Sequence, residues 1–142
     1  MTQISPHFLL EEFVPREIFD AYAGNSIWFL DKRIIDVCEY LRVKIGKPIT
    51  INNWHNGGTY NNSGYRAPDQ IIGARLSQHK RGCAADIKVK DLSPVEVAAF
   101  IKLHFAELNK LGLTTIEKDT PTWTHIDCRW VKSPYLLEVP FQ

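Results

Sequence analysis

"LSQHKRGCAADIKV", residues 76–89, holds a histidine, a glycine and an aspartate within eight positions and runs into an apolar, β-branched end. "CAADIKV" (83–89) reads as a strand, with Gly82 marking the turn before it. Side chains alternate along a strand, and Ala85 and Ile87 suit a core, so Asp86 points the other way. The same alternation turns Cys83 away from Asp86 and into the core. His79 and Asp86 are then either two ligands of a metal site or a polar turn leading into a buried strand. A third ligand elsewhere would decide between these readings.

"TWTHIDCRW" (122–130) supplies a candidate. Its period of two puts Trp123, His125 and Asp127 on one face and Thr124, Ile126 and Cys128 on the other. Ile126 and Cys128 suit the core, so His125 turns towards a polar cleft. Zinc accepts histidine nitrogen and carboxylate oxygen, and a catalytic site keeps three protein ligands with a fourth position for water. His79, Asp86 and His125 form such a set. Ligands borne on strands are rigid, as a preorganised site requires.

The remaining chain reads as one domain, residues 1–142, with no repeat, linker or low-complexity tract. "SPHFLLEEFVPREIFDAY" reads as short helical turns punctuated by Pro15. "NSIWFLDKRIIDVCEYLRVKIG" spaces Ile27, Leu30, Ile34, Val37, Cys38, Leu41 and Ile45 as one helix face, capped by Asn25 or Ser26 and ended by Gly46 and Pro48. "PITIN" (48–52) is a short strand. "NWHNGGTYNNSGYRAPDQ" is a long polar loop, and such loops within a domain tend to be functional. Ser93 caps a helix with Pro94 first and Glu96 completing a capping box, and Gly112 stops it. "TTIE" (114–117) and "TWTHIDCRW" follow as two strands joined by a turn. This order predicts an α+β fold, with helices packed on a small, mainly antiparallel sheet.

Composition narrows the function. Apolar residues make up 44% of the 142 residues, with four Trp, seven Phe and five Tyr, which argues against disorder. Seventeen basic residues face 16 acidic ones, and no basic track stands out, so no nucleic-acid partner is expected. No stretch approaches the roughly 20 apolar residues of a membrane span. An odd count of three cysteines, Cys38, Cys83 and Cys128, fits a reducing compartment, with one bridge still open to two of them. "MTQISPHFLLEEF" has neither a basic n-region nor a long apolar core, so no signal peptide is expected. The expectation is cytoplasmic synthesis. Oligomeric state is not readable.

"SGYRAPDQIIGARLSQHKRGCAADI" followed by "WTHID" resembles the zinc peptidoglycan peptidases that include D-Ala-D-Ala carboxypeptidases and phage L-alanyl-D-glutamate endolysins. Their fold is shared with the hedgehog signalling domain. The signature there is Ser-x-His-x6-Asp and then a distant His on a strand, which Ser77, His79, Asp86 and His125 match. "PITINN…SGYR" resembles the family's strand and arginine segment, and "SPHFLLEEF" resembles its opening, so the likeness spans most of the chain. It implies that His79, Asp86 and His125 bind Zn2+ and that Arg66 holds a carboxylate or carbonyl of the peptide. Ser77 would steady the ligand turn or touch substrate. The resemblance also implies a phage or prophage product that acts on the cell wall after release, or from the virion.

Two departures stand out. Many members carry an acid three residues before the last histidine as general base, and Thr122 stands there. The remaining candidates are Glu117, in a strand where a related acid lies in some relatives, then Asp127, then the turn acid Asp119. Without a base, the domain would be a silent zinc-containing wall-binding or assembly module. The second departure is the insert "NWHNGGTYNN", whose Trp54, His55 and Tyr60 are candidates for lining a substrate groove, as is Trp123. A His–Asn loop beside a divalent metal also fits a nuclease, against which the charge balance weighs. His7 and His104 are expected to be structural. The leading expectation is a zinc peptidase cutting peptide bonds of peptidoglycan, at an L,D or D,D linkage.

Overall fold

Gly46, at φ 74°, ends the longest helix, and Pro48 follows it, so the chain leaves the helix and enters the sheet within three residues. In the computed structural model, which describes residues 1–141, that helix is α2 (Lys32–Ile45), and it buries Ile34, Ile35, Val37, Cys38 and Leu41. It starts later than Asn25 or Ser26. Asp31 is the cap, accepting from the Arg33 amide at 3.0 Å, while Ala23–Phe29 form 3-10 turns. The reason lies in Ser26, which is buried and donates to the Ile18 carbonyl, so it has no helix amides to cap. Helix α1 (Arg16–Tyr22) precedes these turns. The N-terminal stretch also departs from helical turns, since Gln3–Ser5 (β1) and Phe8–Leu9 (β2) form a small antiparallel pair.

Five strands make the main sheet in the order β3-β4-β6-β5-β7. These are β3 (Ile49–Thr50), β4 (Ala84–Val89), β5 (Thr115–Lys118), β6 (Thr124–Asp127) and β7 (Leu137–Pro140). The first four pair antiparallel, as the α+β reading expects. Strand β7, absent from that reading, pairs parallel to β5 at the edge. Between β4 and β5 lie α3 (Pro94–Leu103) and α4 (Phe105–Leu111). The Ser93 capping box forms, with Oγ accepting from the Glu96 amide at 3.2 Å. The predicted single helix breaks at His104, whose backbone leaves helical geometry and whose ring stacks on Phe100.

Alternation in β4 and β6 works as the sequence implies. Ala85, Ile87 and Ile126 enter one core with Ile34, Leu41, Val97 and Ile101 from the helices, and Cys38, Cys83 and Cys128 are buried there as free thiols. The opposite face of the two strands carries Asp86 and His125. The long stretch between β3 and β4 covers that face and is pinned to the rest of the fold around Asn52 and Ser63. Asn52 donates to the Val14 carbonyl and accepts from the Ser63 amide, and the Asp86 amide donates to the Ser63 carbonyl at 2.7 Å. Gly64 is required for this closeness, because a Cβ there would overlap the Phe13 carbonyl. Among the described residues, no helix is long and apolar enough to cross a membrane.

Candidate metal centre

The antiparallel register of β4 and β6 makes Asp86 and His125 direct cross-strand partners. Asp86 Oδ1 lies 3.0 Å from His125 Nδ1 and 3.2 Å from His79 Nε2. His79 reaches this point from a 3-10 turn, Gln78–Arg81, whose cap is Ser77; its Oγ accepts from the His79 amide at 3.2 Å. One donor atom from each of His79, Asp86 and His125 lies within 4.8 Å of the others, and all three residues are buried.

Backbone and side-chain partners fix which imidazole nitrogens are free. His79 Nδ1–H donates to the Gly64 carbonyl at 2.7 Å, which leaves the Nε2 lone pair facing Asp86. His125 Nε2–H donates to Asp127 Oδ2 at 2.7 Å, which leaves Nδ1 facing the same point. Asp127 is itself held by Arg129, whose Nε and Nη2 reach its two oxygens at 2.9 and 2.7 Å. A metal-binding histidine whose other nitrogen is tied to a carboxylate or carbonyl is oriented and made more basic. The donor set therefore fits zinc: two imidazole nitrogens, one carboxylate oxygen, and room for a fourth ligand on the cavity side.

The charges support the same fit. Burial would raise the Asp86 pKa, but hydrogen bonds from His125 and His79 prevail and hold it well below the usual carboxylate range. Burial pushes His79 below its ordinary value against the pull of Asp86, so this ring is neutral at pH 7. Burial would also depress His125, yet its bonds to Asp127 and Asp86 push it up to about 9. A bound metal takes the place of that proton on Nδ1.

A cavity of about 670 Å³ opens over His79, Asp86 and His125. Arg66, Ser77, Thr122, Trp123 and Glu117 line it, with Tyr60, Lys88 and Val139–Phe141. Arg66 is almost wholly buried, donating through Nε to the Asn62 carbonyl and through Nη2 to Asp86 Oδ2 at 3.3 Å. Glu117 Oε1 lies 3.4 Å from His125 Nδ1, on the side where the ligand atoms converge. Burial raises the Glu117 pKa, with His125 opposing.

Several expectations change. Asp127 is fully buried behind His125 with both oxygens bonded, so it orients that ring and has no path to a water in the cavity. Asp119 occupies the β5–β6 turn at φ 59°, outside the cavity. His55 and Trp54 lie outside it as well. Trp54 Nε1 donates to the Val14 carbonyl and its ring packs on Phe19, which draws their turn towards α1. His7, expected to be structural, pairs with Glu39 outside the cavity.

Two cations join the site from the same strand faces. Lys88 sits two residues beyond Asp86 on the same strand face, and Nζ donates to the Ile51 carbonyl, Ser63 Oγ and the Asp86 carbonyl. Burial brings its pKa down to about 8, against the attraction of Asp86. Arg129 continues the His125, Asp127 alternation. In both cases, strand periodicity carried the signal.

The chain matches no curated protein and no solved structure. A family model described as Peptidase M15 does match it, over residues 12–127. That span contains His79, Asp86 and His125 together with Arg66, Ser77 and Glu117. Matched over most of its length, and with a donor set suited to the metal these enzymes depend on, the chain belongs to the Peptidase M15 family of zinc peptidases.

Proposed function

We propose that the protein hydrolyses peptide bonds in the stem peptides or cross-links of bacterial peptidoglycan, with Glu117 as general base. The observation that carries the reading is the approach of Glu117 Oε1 to within 3.4 Å of His125 Nδ1, inside the cavity that holds the ligand set. A base must come within hydrogen-bond reach of the water it activates, and Glu117 faces the place where that water would sit. It thereby fills the role that Thr122 leaves open, which weighs against a silent wall-binding module.

His79, Asp86 and His125 would hold the zinc. Bound there, zinc supplies a Lewis acid for a peptide carbonyl and lowers the pKa of a water. Glu117 would take a proton from the water at its carboxylate and deliver it to the amine that leaves. Its half-buried setting makes it a stronger base than an exposed glutamate. Arg66 keeps guanidinium hydrogens beyond those given to Asn62, Ile72 and Asp86, and these would orient an oxygen of the peptide. Ser77 would keep the His79 turn in place.

The test is incubation of zinc-quantified protein with peptidoglycan fragments and identification of products by mass spectrometry. Cleavage is expected, and it should be lost in His125→Ala and in Glu117→Gln with zinc retained. Absence of products from fully loaded protein would overturn the reading.

A further inference from the structure

On its β7 side the cavity wall beside Glu117 is apolar, and a segment outside the metal centre builds it. Strand β7 pairs with β5 so that Val139 lies opposite Glu117. Register partners on adjacent strands project from the same face, which sets the Val139 side chain next to the carboxylate. Phe141 follows and meets Trp123 edge-on, with ring centroids 5.4 Å apart. All three line the cavity, and Phe141 remains 43% exposed at its rim. Arg66, Ser63, Asn62 and Lys88 supply a polar lining elsewhere. Strand β7 also lies beyond residues 12–127, the stretch that the family model matches. Apolar side chains exposed within a partly polar cavity are suited to an apolar group of a ligand.

We propose that Trp123, Val139 and Phe141 form a subsite for an uncharged aliphatic side chain on the residue whose amine is released. The proposal rests on the peptidase reading above. In hydrolysis, the oxygen of water bonds to the carbonyl carbon and the C–N bond breaks. The proton taken by Glu117 passes to the leaving nitrogen. The leaving residue therefore lies on the Glu117 side of the bond, and its side chain meets Val139 and Phe141. An acidic side chain there would lose hydration against three apolar residues. Arg129, also in the cavity lining, gives Nε and Nη2 to Asp127, so its charge is already balanced by a carboxylate. A linkage that releases alanine is favoured over one that releases glutamate.

Two synthetic peptides, identical up to the scissile bond and releasing either alanine or glutamate, test this when each is offered in L and D forms. With the zinc-loaded 142-residue protein, kcat/KM should favour alanine by about tenfold or more. Phe141→Lys should lower that ratio by about threefold or more. Circular dichroism and zinc content check that the variant is folded. Equal or faster release of glutamate, or an unchanged ratio in Phe141→Lys, overturns the subsite and leaves the peptidase reading standing. Calorimetry on Glu117→Gln separates the two ideas. Tighter binding of the alanine peptide, reduced by adding Phe141→Lys, supports the subsite even if the wild-type protein cleaves neither peptide, an outcome that would overturn the peptidase reading alone. Failure to bind or cleave either peptide overturns both.

Discussion

Asp127 Oδ2 and His125 Nε2 lie 2.7 Å apart on the same face of β6, and this contact turns the other nitrogen of His125 towards Asp86 and His79. The carboxylate behind the ligand thus determines how the ligand presents itself. Arg129 in turn holds the carboxylate, so the brace ends in a charge-assisted pair.

Asp127→Asn should weaken zinc binding about 10- to 100-fold, the usual effect of losing a carboxylate that orients a metal-binding histidine. Competition with a chromophoric chelator would measure it. Unchanged affinity would show that the His125 ring is held by packing alone.

Zinc affinity should rise with pH. In the metal-free protein His125 has its pKa pushed up to about 9, so each zinc displaces close to one proton at neutral pH. Apparent affinity then gains up to about tenfold per pH unit between pH 6.5 and 8. Stability of the metal-free protein runs the opposite way. The raised His125 value contributes stability that is full below about 6.5, the unfolded value, and fades as pH climbs towards about 9. Above pH 8 the lowered Lys88 acts in the other sense, since its unfolded form holds the proton longer. A thermal melt series with chelator present should therefore show a falling midpoint from pH 6.5 to 8.

Lys88→Met removes one donor from three acceptors on two segments, the Ile51 carbonyl, Ser63 Oγ and the Asp86 carbonyl. It should cost about 1–3 kcal/mol in denaturant unfolding. The larger consequence falls on the cavity wall. Tyr60, whose ring Lys88 Nζ faces at 4.0 Å, loses its anchor, and KM should rise more than kcat falls.

Gly64→Ala tests how closely the metal centre depends on the loop. The added methyl overlaps the Phe13 carbonyl, and Gly64 itself supplies the acceptor for His79 Nδ1. A loss of about 1–3 kcal/mol in stability is expected, with weaker zinc binding. Normal affinity in a destabilised variant would show that His79 finds its orientation without that carbonyl.

Much of this centre was written in local pattern. A period of two in "CAADIKV" and "WTHID" put Asp86 and His125 opposite the core residues Ile87 and Ile126, because alternation follows from backbone geometry that neighbours hardly alter. The Ser93 cap was legible for the same reason: its partner Glu96 is three residues away. Only the tertiary structure separated Glu117 from Asp127. Each is a carboxylate near His125, and the difference is that Arg129 and His125 occupy both oxygens of Asp127 while Glu117 opens onto the cavity. The withdrawal of His55, the late start of α2 at Asp31 and the parallel pairing of β7 also rest on distant partners: Val14, Ile18 and the β5 backbone. Residue spacing determined which side chains can serve the metal. Contacts between residues far apart in the chain decided which acid faces it and what walls the space where a substrate would lie.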